Sequence, residues 1–173
     1  MRKIWGIAAI LVVFGIGCKK SNKSGPTLSS ADQQFVTTAG YLNVDEINAG
    51  YLASTNAADT NVRAFGHLMV NDYGGAQSAL VLIADNAGFT VLSSPDSAHQ
   101  KQLDVMQNLT NVAFDTTYLR YQINDDQAAI ALYQQEQTNG QSTDLKAYVN
   151  KYLPVIQTHL TTADSLIKTW TGH

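Results

Sequence analysis

One cysteine, three prolines and a charged fraction of 14% are what this 173-residue chain has least of. A lone cysteine closes no disulfide within the chain, so stability has to come from packing. Prolines stand only at 26, 95 and 154, which leaves long stretches free to run as helix. Charge well below the usual ~25% leaves a surface made polar by Asn, Gln, Ser and Thr, where electrostatic steering is not the main device. No apolar run reaches the ~20 residues that a membrane-crossing helix needs. A nucleophile motif, a Gly-rich phosphate loop and a paired-cysteine metal spacing are all missing.

What is present begins at the N-terminus. Arg2 and Lys3 precede an almost wholly apolar run, Ile4 to Ile16, of about 13 residues, and Gly15-Ile16-Gly17-Cys18 closes it. A basic start, an apolar centre and a small-residue exit form a secretory signal. The cysteine directly after the small residues resembles a bacterial lipoprotein signal, in which the thiol is acylated and the chain is cut before it. An ordinary cleaved signal and a retained anchor are the other two readings. The lipoprotein reading implies a membrane partner through lipid at Cys18, and a cell-envelope location on the outer membrane, facing the periplasm. Multiple acyl chains anchor stably where one does not.

Residues 1–17 are then signal peptide and 18–28 a lipidated, flexible tether carrying Lys19, Lys20, Lys23, Gly25 and Pro26. Residues 29–173 form one domain, large enough for a proper core. In that part Arg63, Lys101, Arg120, Lys146, Lys151 and Lys168 stand against all 14 acids, a charge near −8. Such a balance argues against nucleic acid as a partner.

Apolar residues recur there at helical spacing. The first helix is predicted from Ser30, with Ser30-Ala-Asp-Gln33 as a capping box, and a stripe of Phe35, Ala39, Leu42, Glu46, Ala49 and Ala53. The second spans about Asp59 to Ala87, ends at Gly88, and carries Val62, Phe65, Met69, Tyr73, Ala76, Leu80 and Ile83. A short helix after Pro95 carries Leu103 and Met106. The third long helix, about Val112 to Gln137, presents Asp115, Leu119, Gln122, Asp126, Ala129 and Tyr133. Asn139-Gly140 marks a turn. The fourth begins near Ser142 or Thr143 and presents Leu145, Val149, Tyr152, Ile156, His159, Ala163, Leu166 and Trp170. Four amphipathic stripes bury one another in an all-α four-helix bundle, with the extra short helix between helices two and three. Gly74-Gly75 inside helix two predicts a close helix approach or a bend, and Pro154 a kink.

Each stripe holds one polar residue near its middle: Glu46, Tyr73, Asp126 and His159. Buried ionisable groups need a partner or a metal. One reading is a divalent or ferric ion held by Glu46, Asp126, His159 and Tyr73, since carboxylate and imidazole suit iron, manganese or zinc. Another is a cofactor-free polar layer, with His159 donating to Glu46 or Asp126 and the Tyr73 hydroxyl closing the network. A third is that the helix phases are wrong and these groups face solvent. No Glu-x-x-His pair exists. His67 lies off the stripe, and His99 and His173 sit in exposed-looking contexts.

The stretches Glu46-Ile-Asn-Ala-Gly50, Val62-Arg-Ala-Phe65, Met69-Val-Asn-Asp72, Phe114-Asp-Thr-Thr-Tyr118, Ala129-Ile-Ala-Leu-Tyr133 and Leu153-Pro-Val-Ile-Gln-Thr-His159-Leu160 follow in order over about residues 31–167. Together they resemble the domain of unknown function 4142 family of bacterial secreted or membrane-attached proteins. The resemblance implies a ferritin-like bundle, with Asp-His on helices two and three and a histidine on helix four. Here those pairs read Asp72-Tyr73 and Asp125-Asp126, and His159 alone is kept. An envelope lipoprotein without catalysis, acting as a binding or structural module in stress tolerance, is the leading expectation. A metal-dependent redox or storage protein with a degenerate site is the alternative.

Overall fold

The computed structural model describes residues 27–171. The signal segment, Cys18, and all of the 18–28 stretch except its last two residues lie outside the described residues. Five helices follow one another: α1 (Ser30–Asn56), α2 (Thr60–Asn86), α3 (Ser97–Met106), α4 (Asn111–Asn139) and α5 (Thr143–Thr171). The described residues contain no strand, and none of their helices is long and apolar enough to cross a membrane.

Side chains set the helix ends. The α1 capping box falls on Ser29 and Asp32, one position earlier than the sequence predicts. The Asp32 amide donates to Ser29 Oγ at 3.2 Å and the Ser29 amide to Asp32 Oδ2 at 3.0 Å. Asp32 wins because its second oxygen also accepts from the Gln141 and Ser142 amides, at 2.8 and 3.3 Å, tying the α4–α5 turn to the start of α1. Gln33 donates instead to the Leu28 carbonyl at 2.9 Å. Burial pushes the Asp32 carboxyl up, but these amides and the Ser29 hydroxyl outweigh it and hold the pKa at about 2. Asp59 caps α2 by accepting from the Asn61 and Val62 amides. Beyond its end at Asn86 the helix is closed by Gly88, whose φ of 72° lets Phe89 N reach Ala84 O at 2.9 Å, while Gly88 N reaches Asp85 O at 3.0 Å.

Short turns make α1–α2 and α4–α5 antiparallel hairpins. Side-chain pairs set the rest: Phe35 meets Tyr133 near one end of α1, while Asp115 near the start of α4 accepts from the Ala58 and Asp59 amides just past its other end. Helices α1 and α4 are therefore antiparallel. Asn43 lies against Gln77, and Tyr73 against His159, so each long helix opposes both of its neighbours in the ring α1–α2–α5–α4. Helix α3 lies in the long crossover from α2 to α4 and packs over the seam between α1 and α4.

The four stripes point inward, so the phases read from the sequence hold; only Ile83, Leu166 and Trp170 at the stripe ends are half-buried. Aromatic clusters close both ends of the core, Phe35 with Tyr133 and Tyr148, and Phe65 with Phe114 and Tyr118. The close helix approach is not at Gly74-Gly75, where a Cβ on Gly74 would meet nothing within 4 Å. It lies at Gly50 and Gly66, where a Cβ on Gly66 would stand 2.7 Å from the Ala53 Cβ and one on Gly50 2.8 Å from the Gly66 carbonyl oxygen. Helix α5 continues through Pro154.

Candidate functional site

Halfway along the bundle the core turns polar. Asp45 and Glu46 come from α1, Gln122, Asp125 and Asp126 from α4, Asp72 and Tyr73 from α2, and His159 from α5. Sequence neighbours on a helix point about 100° apart. Glu46 and Asp126 therefore face the bundle axis, while Asp45 and Asp125 turn toward the α1–α4 seam. That seam is the one α3 covers, and the first turn of α3 lowers His99 onto it.

The central layer is short of partners. Glu46 is fully buried, and neither of its carboxyl oxygens has a partner in hydrogen-bond geometry, although Gln122 is near enough to steady its charge. Burial drives the Glu46 pKa well above its usual range, and the neighbouring Asp126 and Asp125 raise it further. Asp126 is raised for the same reason, against the Tyr73 hydroxyl, which donates to its Oδ1 at 3.1 Å. Two such neighbouring carboxyls cannot both ionise readily. The Tyr118 hydroxyl and both Gln122 amide atoms are likewise buried without hydrogen-bond partners.

His159 is 2% exposed and turns away from Glu46 and Asp126, which corrects the expected donation. Its Nε2 lies 2.8 Å from Asp72 Oδ2, and its ring packs on Tyr73 at 5.6 Å and Phe65 at 6.2 Å. Nδ1 has no partner. Burial pulls the His159 pKa down, against the raising effect of Asp72.

The second histidine was missed by helical periodicity. His99 has an exposed-looking sequence context, yet its side chain is 26% exposed and meets three carboxylates. Nδ1 lies 2.6 Å from Asp96 Oδ2 and 3.1 Å from Asp45 Oδ2, and Nε2 lies 3.4 Å from Asp125 Oδ2. The Asp125 contact raises the His99 pKa most, burial opposes it, Asp45 and Asp96 add to the rise, and the result is about 9. Burial lifts Asp45, whose side chain is 0% exposed, to about 7 despite His99. Asp96 doubles as the α3 N-cap, accepting from the Ala98 and His99 amides at 2.7 and 3.0 Å.

Among the described residues, every ion pair has a histidine on its cationic side. Glu46, Asp126 and His159 do not converge: among the described residues, the one trio of His, Cys, Asp or Glu whose ligand atoms lie within 4.8 Å of one another is Asp45, Asp96 and His99. Tyr73 alone links Asp126 to His159.

An all-helical bundle with carboxylates and histidines at mid-height is the class that fold and site define. The chain belongs to the family named for the domain of unknown function DUF4142, whose model matches residues 18–166. Two solved structures share the fold. A DUF305 fragment from Deinococcus radiodurans superposes with a TM-score of 0.74 at 10% identity, covering 83% of this chain and 99% of that one. CopM in its Cu(I)-bound form gives a TM-score of 0.68 at 16% identity, with 80% and 96% covered. No curated protein matches this sequence.

Proposed function

We propose that this protein is an envelope lipoprotein, held to the outer membrane through Cys18 and facing the periplasm, whose ferritin-like bundle is a non-catalytic binding or structural module. The observation that carries the non-catalytic part is that Tyr73 and His159 are each already engaged by a carboxylate. Tyr73 donates to Asp126, and His159 is engaged with Asp72, at the places where the family pattern has its histidines. The ferritin-like reading is supported by the run of helix directions, with one long crossover joining α2 to α4. The signal segment and the cysteine after it support the location.

A second reading has its own observation. The free carboxyl oxygens of Glu46 and Asp126, and a fold neighbour that binds Cu(I), favour a metal-binding redox or storage role centred on Glu46, Asp126, His159 and Tyr73. Membrane fractionation and metal analysis separate the readings. Cys18→Ser is expected to move the protein out of the membrane fraction, and His159→Ala to leave metal content unchanged. Retention of the Cys18→Ser variant in the membrane would overturn the lipoprotein assignment. Loss of stoichiometric metal in His159→Ala would replace the first reading with the second.

A further inference from the structure

We infer that Asp45, Asp96 and His99 form a binding site for a first-row divalent cation at the α1–α4 seam, apart from the central layer, with Asp125 orienting the imidazole. Three observations independent of the central layer lead there.

The first is ligand spacing. Ligand atoms 2.0–2.1 Å from a zinc ion sit roughly 2.9–3.4 Å from one another in octahedral or tetrahedral arrangement. His99 Nδ1 already lies 2.6 Å from Asp96 Oδ2 and 3.1 Å from Asp45 Oδ2, and the three ligand atoms all lie within 4.8 Å of one another, so side-chain adjustment alone brings them around an ion. The second is the state of Asp45. It is wholly buried, neither oxygen is hydrogen-bonded, and among the described residues its one cationic contact is His99, whose charge depends on a proton. The third is the surroundings. Nε2, on the far side of the ring, faces Asp125 at 3.4 Å, the carboxylate–histidine arrangement that fixes the tautomer of a metal-bound imidazole. A cavity of about 150 Å³, lined in part by Thr38, Tyr41, Asp96, His99 and Asp125, provides room for water on the remaining coordination positions.

Two carboxylates and one imidazole are hard to borderline donors. They suit zinc, manganese or iron(II), whereas Cu(I), the ion of the fold neighbour, prefers sulfur. A bound dication balances Asp45 and Asp96, and it displaces the proton from His99 Nδ1 to solvent.

Calorimetric titration of the chelator-treated full chain with Zn²⁺, and separately with Mn²⁺, tests this. One ion per chain is expected, with affinity lowered at least tenfold in His99→Gln and Asp45→Asn, about tenfold in Asp125→Asn, and within twofold of wild type in His159→Ala. Circular dichroism confirms that each variant keeps its helices. Binding unchanged in folded His99→Gln, binding lost in His159→Ala, or no uptake of either ion would overturn the inference. The His159 variant also separates this site from the central-layer metal reading, because the two make opposite forecasts for it.

Discussion

Two seams of the bundle each set one histidine against acid, and they treat it in opposite ways. At α1–α4, His99 stands at the surface end of a crossover helix among Asp45, Asp96 and Asp125, and its pKa is pushed up to about 9. At α2–α5, His159 sits inside the core between Phe65 and Tyr73 with Asp72 as its sole acid contact, and burial pulls its pKa down. Burial decides the sign where one half-exposed carboxylate opposes it, and three carboxylates reverse that sign. The first seam is built to hold a cation, whether proton or metal. The second is built to hold a neutral ring.

The sharpest way to break this contrast is truncation. His159→Ala removes a ring packed on two aromatic neighbours and leaves Asp72 unpaired, so a loss of about 2–4 kcal/mol is expected in denaturant unfolding. His99→Ala removes a less buried ring, and about 1 kcal/mol is expected at pH 6. Equal losses would mean that the two seams are mechanically alike.

A smaller effect is the pH dependence of stability. Asp45 binds its proton more tightly folded, at about 7, than unfolded, at 3.8, and Glu136 shifts from 4.5 to about 7. Both contribute most at low pH and weaken the fold as pH rises toward 7 and beyond. His99, at about 9 against 6.5, acts in the same direction: its contribution is complete below 6.5 and lost as pH rises through 9. Asp32 runs the other way, its contribution vanishing as pH falls from 3.8 through about 2. Stability should therefore peak near pH 4 and decline toward pH 9, and Asp45→Asn should flatten the decline. A melting temperature that climbs from pH 5 to pH 9 in chelator would contradict this. The smallest expected effect is that of Asp72→Asn. Asp72 is 33% exposed and accepts one hydrogen bond, so about 0.5 kcal/mol is expected in the same unfolding assay.

The contrast also explains what could be read from the sequence. The four stripes, the α2 cap at Asp59, the glycine closing α2 at Gly88 and the turn at Asn139-Gly140 are local signals, and they lie where the sequence put them, with α4 running two residues past the expected Gln137. His159 was legible because it sits in phase with Tyr152, Ile156 and Ala163. His99 was not, because its partners come from three elements and α3 is too short to show a period. Two clues were available: Asp96 stands three residues before His99, the spacing of an N-cap facing its own first turn, and Asp45 precedes Glu46 as Asp125 precedes Asp126. Paired acids on two helices mark two faces, one for the axis and one for a neighbour. Gly74-Gly75 misled because a glycine pair marks close approach only where another backbone arrives. That happens at Gly50 and Gly66, which stand apart in sequence and meet only in the fold.

The most direct test is to follow the imidazole protons of His99 and His159 by NMR through a pH titration in the presence of chelator, assigning each by its glutamine variant. His99 is expected to titrate well above 6.5, toward 9, and His159 below 6.5. A His159 that titrates at or above His99 would contradict the account of the two seams.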